Sequence, residues 1–424
     1  MIDPRIDIRE ANRKVRRRAR RGRRRSTLAA LSSAALALLG KPGASTAGGP
    51  IEEVAAAYAF SFYSEDSISK DKVSFGETSR YEIETQQFSI EGPLTQRSDV
   101  AFDFIYESMS GATPWYVSPG IAGGPPLQAM SGATVSENRY DGTLRGNYYF
   151  DSARAGAHVG VSGERDYLAV YAGLNGEHDV NEKNTTLSGG LSFSIDEIKP
   201  TEGGTEGRIE SDDKQSVTLN AGVSQIIDRQ TTMQSSLTYK HSRGFLSDPY
   251  KKAFIDVSGG IIIPDERPDE RNQVSWLTQL RHHFESTNAS LHADYRFHYD
   301  DWKVTSHTFE LRWYQNLFDD LIQIIPQFRY YSQSQAYFYE PIYASRRSDG
   351  LASSDYRLSP YGSLTFGARV QMRIEGWPGD SDWRLGVNYE RHLADADYAL
   401  SSVRVKNPGL VDFHFVYVTM DMRF

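Results

Sequence analysis

Cysteine is absent from the 424 residues. That excludes a disulfide framework, a thiol nucleophile, a cysteine zinc site and an iron–sulfur cluster. Long apolar runs are also missing, and mean hydropathy is −0.53. A bundle of transmembrane helices is therefore excluded, since each helix needs about 20 consecutive apolar residues. A membrane β-barrel is not, because its strands place only alternate residues on lipid. The motifs G-x-S-x-G, the P-loop, and G-x-G-x-x-G in a βαβ setting do not occur either, so no enzyme class is indicated, and no cofactor or resident metal is expected. Basic residues are scarce over most of the chain. Residues 1–47 hold 13 of the 47 Lys and Arg but only 3 of the 55 Asp and Glu, which leaves a formal charge of about −18 on residues 48–424. A body that acidic is a poor nucleic-acid binder, because phosphate contacts need a basic surface.

What the chain does have begins with a processing segment. Arg13 to Arg25 is strongly basic, Leu28 to Leu39 is a short apolar run, and small residues around Ser45 and Ala47 follow. Basic n-region, short h-region and small-residue exit define a signal peptide over 1–47, cleaved near Ala47, with residues 48–424 as one domain. The long n-region leaves the true start codon open, and Arg24-Arg25 also allows a twin-arginine route. A basic nucleic-acid arm is the alternative, but it leaves the apolar run unexplained.

From Val54 onward the apolar pattern has period two. Sixteen segments carry it, near 54–63, 81–91, 100–109, 136–150, 156–164, 167–178, 184–195, 215–227, 231–241, 273–284, 289–299, 304–315, 321–332, 361–373, 383–392 and 412–424. Even-numbered links are short. Odd-numbered links are mostly long, except Arg165-Asp166 and Asp300 to Lys303. Short turns on one rim, long loops on the other and an even strand count predict an all-β fold: a transmembrane antiparallel barrel of about 16 strands with both termini periplasmic. The last segment places Val418, Met420, Met422 and Phe424 on one face, the pattern of an insertion signal read by the barrel-assembly machinery. Outward Trp276, Tyr295, Tyr299, Trp313 and Tyr330 suit aromatic girdles at the headgroups.

Several stretches resemble the bacterial outer-membrane family catalogued as domain of unknown function 3570. They are FIYESMSGATPW (104–115), AMSGATVSENRYDG (129–142), GFLSDPYKK (244–252), PDERPDER (264–271), YRFHYDDWKVTSHTFEL (295–311), FRYYSQSQAYFYEP (328–341) and SDYRLSPYGSLTFG (354–367). The resemblance implies a bacterial outer-membrane barrel in contact with lipid and lipopolysaccharide. It also implies periplasmic redox or flavin-carrying proteins as partners. It defines no functional residues.

Four features are candidates for function. First, the repeat Ser110-Gly111-Ala112-Thr113 and Ser131-Gly132-Ala133-Thr134, with Pro114 and Trp115 between, reads as a constriction loop folded into the barrel or as tight turns closing strands. Second, alternation turns Arg281, His283, His292, Asp294, Arg296, His298, Glu310, Arg312 and Arg329 into the lumen, as a permeation path lined by charge or as a salt-bridged plug. Third, His283, His292 and His298 with Asp294 could ligate a metal, though a solvated lumen needs the same residues. Fourth, Asp265, Glu266, Asp269 and Glu270, interspersed with Arg267 and Arg271, read as a solvated loop with local ion pairs or a divalent bridge to lipopolysaccharide. The function expected is a porin-like channel for small polar or charged solutes. A non-conducting barrel that anchors partners is second. An outer-membrane enzyme, using His282 or His307 on the lipid side, is third.

Overall fold

The computed structural model describes residues 49–132, 135–205, 207–374 and 381–424. Sixteen strands close into one antiparallel barrel. We number them β1 (Ala55–Glu65), β2 (Glu82–Thr95), β3 (Ser98–Gly111), β4 (Val135–Tyr149), β5 (Ala153–Glu164), β6 (Tyr167–Val180), β7 (Thr185–Ile198), β8 (Asp212–Ile226), β9 (Thr231–Gly244), β10 (Glu270–Phe284), β11 (Ala289–Asp300), β12 (Thr305–Leu317), β13 (Ile322–Gln333), β14 (Tyr361–Ile374), β15 (Asp382–Asp395) and β16 (Phe413–Arg423). Each of the sixteen predicted segments overlaps one of these strands, with ends shifted by a few residues. The signal-peptide reading and its cleavage site lie outside the described residues.

Every strand pairs with its sequence neighbours, and β1 pairs with β16 from Ala55↔Arg423 to Glu65↔Phe413. Val54 and Phe424 exchange backbone hydrogen bonds of 3.0 and 3.1 Å just outside that ladder. The seam is thereby closed without a free edge, which is the condition for a sheet to sit in hydrocarbon. Both chain ends of the barrel lie at the rim of short links. Those turns use left-handed backbone where the chain must reverse in few residues: Asn181, Glu182 and Lys183 have φ between 51 and 66°, and Asn288 has φ 46°.

Alternation gives each strand one apolar face turned outward. Phe102, Leu144, Val159, Leu174, Leu191, Leu237, Trp276, Val370, Val387 and Val418 are all exposed on that face. So many bare apolar side chains around a closed sheet would be untenable in water, and they form the band a bilayer covers. Opposite faces carry Ser, Thr, Asn, Asp, Glu and Arg. The polar interior and apolar exterior reverse the arrangement of a soluble barrel.

Candidate functional site: a polar lumen beneath an interlocked roof

The long links do not splay into solvent. They pack on one another into a roof over one mouth of the barrel. The β1–β2 link contributes residues 73–75 to a small sheet with 114–118 and 127–130 of the β3–β4 link. The β9–β10 link forms a hairpin, 252–255 with 261–264. That hairpin bridges to the β13–β14 link through Ile255↔Tyr343 and Glu266↔Ala352. Loops rooted far apart on the ring meet: Lys251 Nζ donates to the Pro114 carbonyl at 3.1 Å, and the Val117 amide donates to Ser354 Oγ at 3.3 Å. The β15–β16 link joins through Asn407, whose amide donates to Tyr339 Oη at 2.8 Å and to the Ser354 carbonyl at 3.2 Å. The two short links on this rim are also covered. Tyr250 Oη donates to Asp166 at 2.5 Å, and Trp302 packs edge-on against Phe338 at 5.2 Å.

Two apolar clusters stiffen the roof: Trp302, Val304, Ala336, Phe338, Tyr339 and Leu358 in one, and Ala253, Ile255, Ile263, Tyr343 and Ala352 in the other. Its centre is ionic. Asp355 is wholly buried and takes Arg357 at 2.5 Å, Arg267 at 2.9 Å and Lys251 at 3.7 Å. Asp265 pairs with Arg267 at 2.7 Å, and Asp248 with Arg357 at 2.8 Å. Three carboxylates thus balance three cations. Burial alone would push the Asp355 carboxyl up, but Arg357, Lys251 and Arg267 outweigh it and hold it well below the usual carboxylate range. For Asp265 burial wins over Arg267 and the carboxyl is pushed up. Burial draws Lys251 down, and Asp355 only partly restores it. Further out, Arg80 pairs with Glu65 at 3.0 Å, caps the Gly409 carbonyl at 2.8 Å, and lies 5.8 Å from the Tyr356 ring.

This centre corrects the sequence reading of the acidic loop. Asp265 and Arg267 are not a solvated surface, because their side chains fill the roof core. Arg271 instead faces the lumen and pairs with Asp300 at 2.5 Å. The SGAT repeat also belongs to the roof. Its two copies are stitched together: the Thr113 amide donates to Ser131 Oγ and the Ser131 amide to the Thr113 carbonyl, both at 2.9 Å. Tyr81 Oη donates to Thr113 Oγ1 at 2.9 Å. Ser110 and Gly111 end β3, and Gly111 turns at φ 135° against the Arg80 carbonyl. Trp115 lies under Lys252 and beside Phe75. Gly132 is exposed, and Thr134 lies outside the described residues.

Below the roof, the predicted inward ladder occupies the face opposite the exposed apolar residues on β10–β13. Arg281, His292 and Arg312 are successive cross-strand partners, as are Asp294, Glu310 and Arg329. Asp294 joins Arg281 and lies 3.1 Å from Arg312; Glu310 joins Arg312 at 2.8 Å and Arg329 at 2.6 Å. His283 bonds Ser290 at 3.1 Å, and His298 bonds Ser275 at 2.9 Å and lies 3.8 Å from Asp300. The His292 ring lies 4.1 Å from that of Tyr314, tilted against it. The histidines are therefore separated, each with its own partner, and among the described residues no group of three or more His, Asp or Glu is arranged to hold a metal. Arg296 makes no ion pair among the described residues and is exposed into the lumen, as are Lys240 and Asn220. His282 and His307 face outward, bonded to Thr231 and Tyr295. Val418, Met420 and Phe424 are exposed on the outer face.

A closed sixteen-stranded sheet with an apolar belt, a wet charged lumen and a roof of loops defines a membrane barrel. The chain belongs to the family described as protein of unknown function DUF3570, whose model matches residues 28–405. No curated protein matches it. Among solved structures it is similar to a bacterial polysaccharide outer membrane secretin (TM-score 0.45, 11% identity, 88% of this chain and 99% of that one). It is also similar to Pseudomonas aeruginosa OprD (TM-score 0.42, 9% identity, 90% and 97%) and to OccD3 of the same organism (TM-score 0.42, 10% identity, 89% and 94%). At these scores the likenesses carry no argument about function.

The sequence reading missed the roof. Its signal was present in the charged strings SDPYKK, PDERPDER and SDYRLSP, each within a stretch that carried the family resemblance.

Proposed function

We propose that this protein is a bacterial outer-membrane channel for small polar or charged solutes, with the long-loop rim outside and both termini in the periplasm. The carrying observation is that Asn220, Lys240 and Arg296 are exposed inside the barrel. A wet lumen wall of charged and amide side chains serves passage, and about sixteen strands leave room for it. In this reading the barrel wall supplies the path and the seams of the roof set the size of what crosses. Purified protein in a planar bilayer should give discrete current steps in simple salts. Insertion without current over a range of salts would overturn the reading.

The roof favours a second reading. Loops so thoroughly interlocked also suit a non-conducting barrel that presents a fixed surface to partners. The same experiment separates the two. Silence in the bilayer, together with repeated crosslinking to the same periplasmic proteins in intact cells, would support the anchor.

A further inference from the structure

The lumen charges are segregated. On β3–β5 the inward residues near the roof are Glu107, Glu137, Asp141 and Glu164, with Arg139 among them. Arg139 lies 3.0 Å from Glu107 and 3.5 Å from Asp141, so one guanidinium is shared by two carboxylates, and Glu107, Glu137 and Asp141 are buried in the wall, where they act on the lumen through their field rather than by contact. Glu164 makes no ion pair among the described residues, and its Oε2 is buried with no hydrogen-bond partner. On β9–β13 the balance is reversed. Asp294 and Glu310 are shared by Arg281, Arg312 and Arg329, while Lys240 and Arg296 add two cations without an ion pair. The centres of these walls, β4 and β11, stand seven strands apart on a ring of sixteen, nearly diametrically opposed. Glu107 on one wall and Lys240, Arg296 and Arg329 on the other each stand four residues short of the roof end of their strands.

Between them, β7 and β8 present Ser188, Ser192, Ser194, Thr218 and Asn220, small neutral groups that leave space, and nearer the roof an Asp196–Lys214 ion pair at 2.6 Å that adds no net charge. Opposed walls of opposite sign in a low-dielectric shell focus a field across the lumen. Water aligns in such a field, and a neutral solute must displace it without compensation. A solute with a positive and a negative end replaces it by turning its own dipole along the field.

We propose that the lumen beneath the roof selects small dipolar solutes, molecules with an ammonium-type cation at one end and a carboxylate or phosphate at the other. This rests on the channel reading above and names its substrate class. The test compares γ-aminobutyrate, dipolar at neutral pH, with erythritol, a neutral solute of similar size, in proteoliposome swelling. The native protein should admit γ-aminobutyrate about three- to fivefold faster, the effect of a screened charge pair. Lys240→Gln with Arg296→Gln should remove that preference. Neither residue forms an ion pair among the described residues, and a heat-modifiable band confirms that the barrel has assembled. Saturation-transfer NMR of γ-aminobutyrate with detergent-solubilised protein gives a second readout that needs no permeation; signal should appear with the native chain and weaken in the double variant. Equal entry of both solutes into native liposomes overturns the proposal and leaves the channel standing. If neither solute enters, the channel reading falls, and NMR signal that is absent or unchanged by the double variant overturns the dipolar site as well.

Discussion

Asp355→Asn is the sharpest perturbation of the roof. In the native chain its carboxylate lies within 4 Å of Arg357, Arg267 and Lys251. The amide is nearly the same size, so packing is kept while the charge goes. Lys251, Arg267 and the partly exposed Arg357 then face only Asp248 and Asp265, and burial already pushes the Asp265 carboxyl up. Removing one partner of a buried ion cluster costs roughly 3–5 kcal/mol, because the remaining charges stay desolvated. At about 1.4 kcal/mol per decade, the equilibrium for opening the roof should move by about two to three powers of ten. Hydrogen exchange on the full chain in micelles reads this directly. Amides of 248–267 and 351–359 should exchange about a hundredfold to a thousandfold faster, by the same conversion. Amides of β11 should not change, since the ladder Gln273↔Asp300 to Phe284↔Ala289 is untouched. Unchanged roof exchange, or equal acceleration in β11, would refute the keystone role.

Acid should loosen the same structure. Asp355 is held below its ordinary value, so its contribution is present above about pH 4 and is lost as pH falls through its folded value. Asp265 is shifted the other way, so its contribution grows as pH falls and is complete at its ordinary value of about 4, before that of Asp355 is lost. Roof exchange, corrected for intrinsic rates, should not rise between neutrality and pH 5 and should rise below pH 4; a profile with no rise below pH 4 would contradict the assignment. Arg296→Glu with Arg312→Glu should move the reversal potential in a salt gradient toward cation preference, and an unchanged potential would show that these residues do not line the path. Gly111→Ala should destabilise the β3 end by about 1–3 kcal/mol, because a Cβ there would sit 2.3 Å from the Arg80 carbonyl oxygen; thermal unfolding indistinguishable from the native chain would count against it.

The barrel was legible in the sequence because its signal is local. Each strand alternates over a dozen residues, and the links reveal which rim is which. Phe309, Leu311 and Trp313 against Thr308, Glu310 and Arg312 separate an apolar face from a polar one, and the even strand count with short and long links in alternation turns the apolar face to lipid. The roof was not legible in that way. Its contacts join residues 137 and 237 positions apart, Lys251 with Pro114 and Val117 with Ser354, and no period announces such contacts. The acidic loop shows the cost: beside Arg267 in sequence, Asp265 reads as an exposed pair, and only the arrival of Asp355 from another loop buries it. The charge walls were half visible. Arg296 and Arg312 could be turned inward by alternation, but their opposition to Glu107 and Glu164 depends on ring order and register.

The central claim is that charged residues on these strands face water inside the barrel while their neighbours face lipid. Because the chain has no native cysteine, single cysteines test it without background. Arg296→Cys and Tyr295→Cys, adjacent on β11, are placed in lipid nanodiscs and treated with a small charged thiol reagent. The account predicts rapid labelling at 296 and almost none at 295. Equal labelling of the two, or labelling at 295 alone, would contradict it.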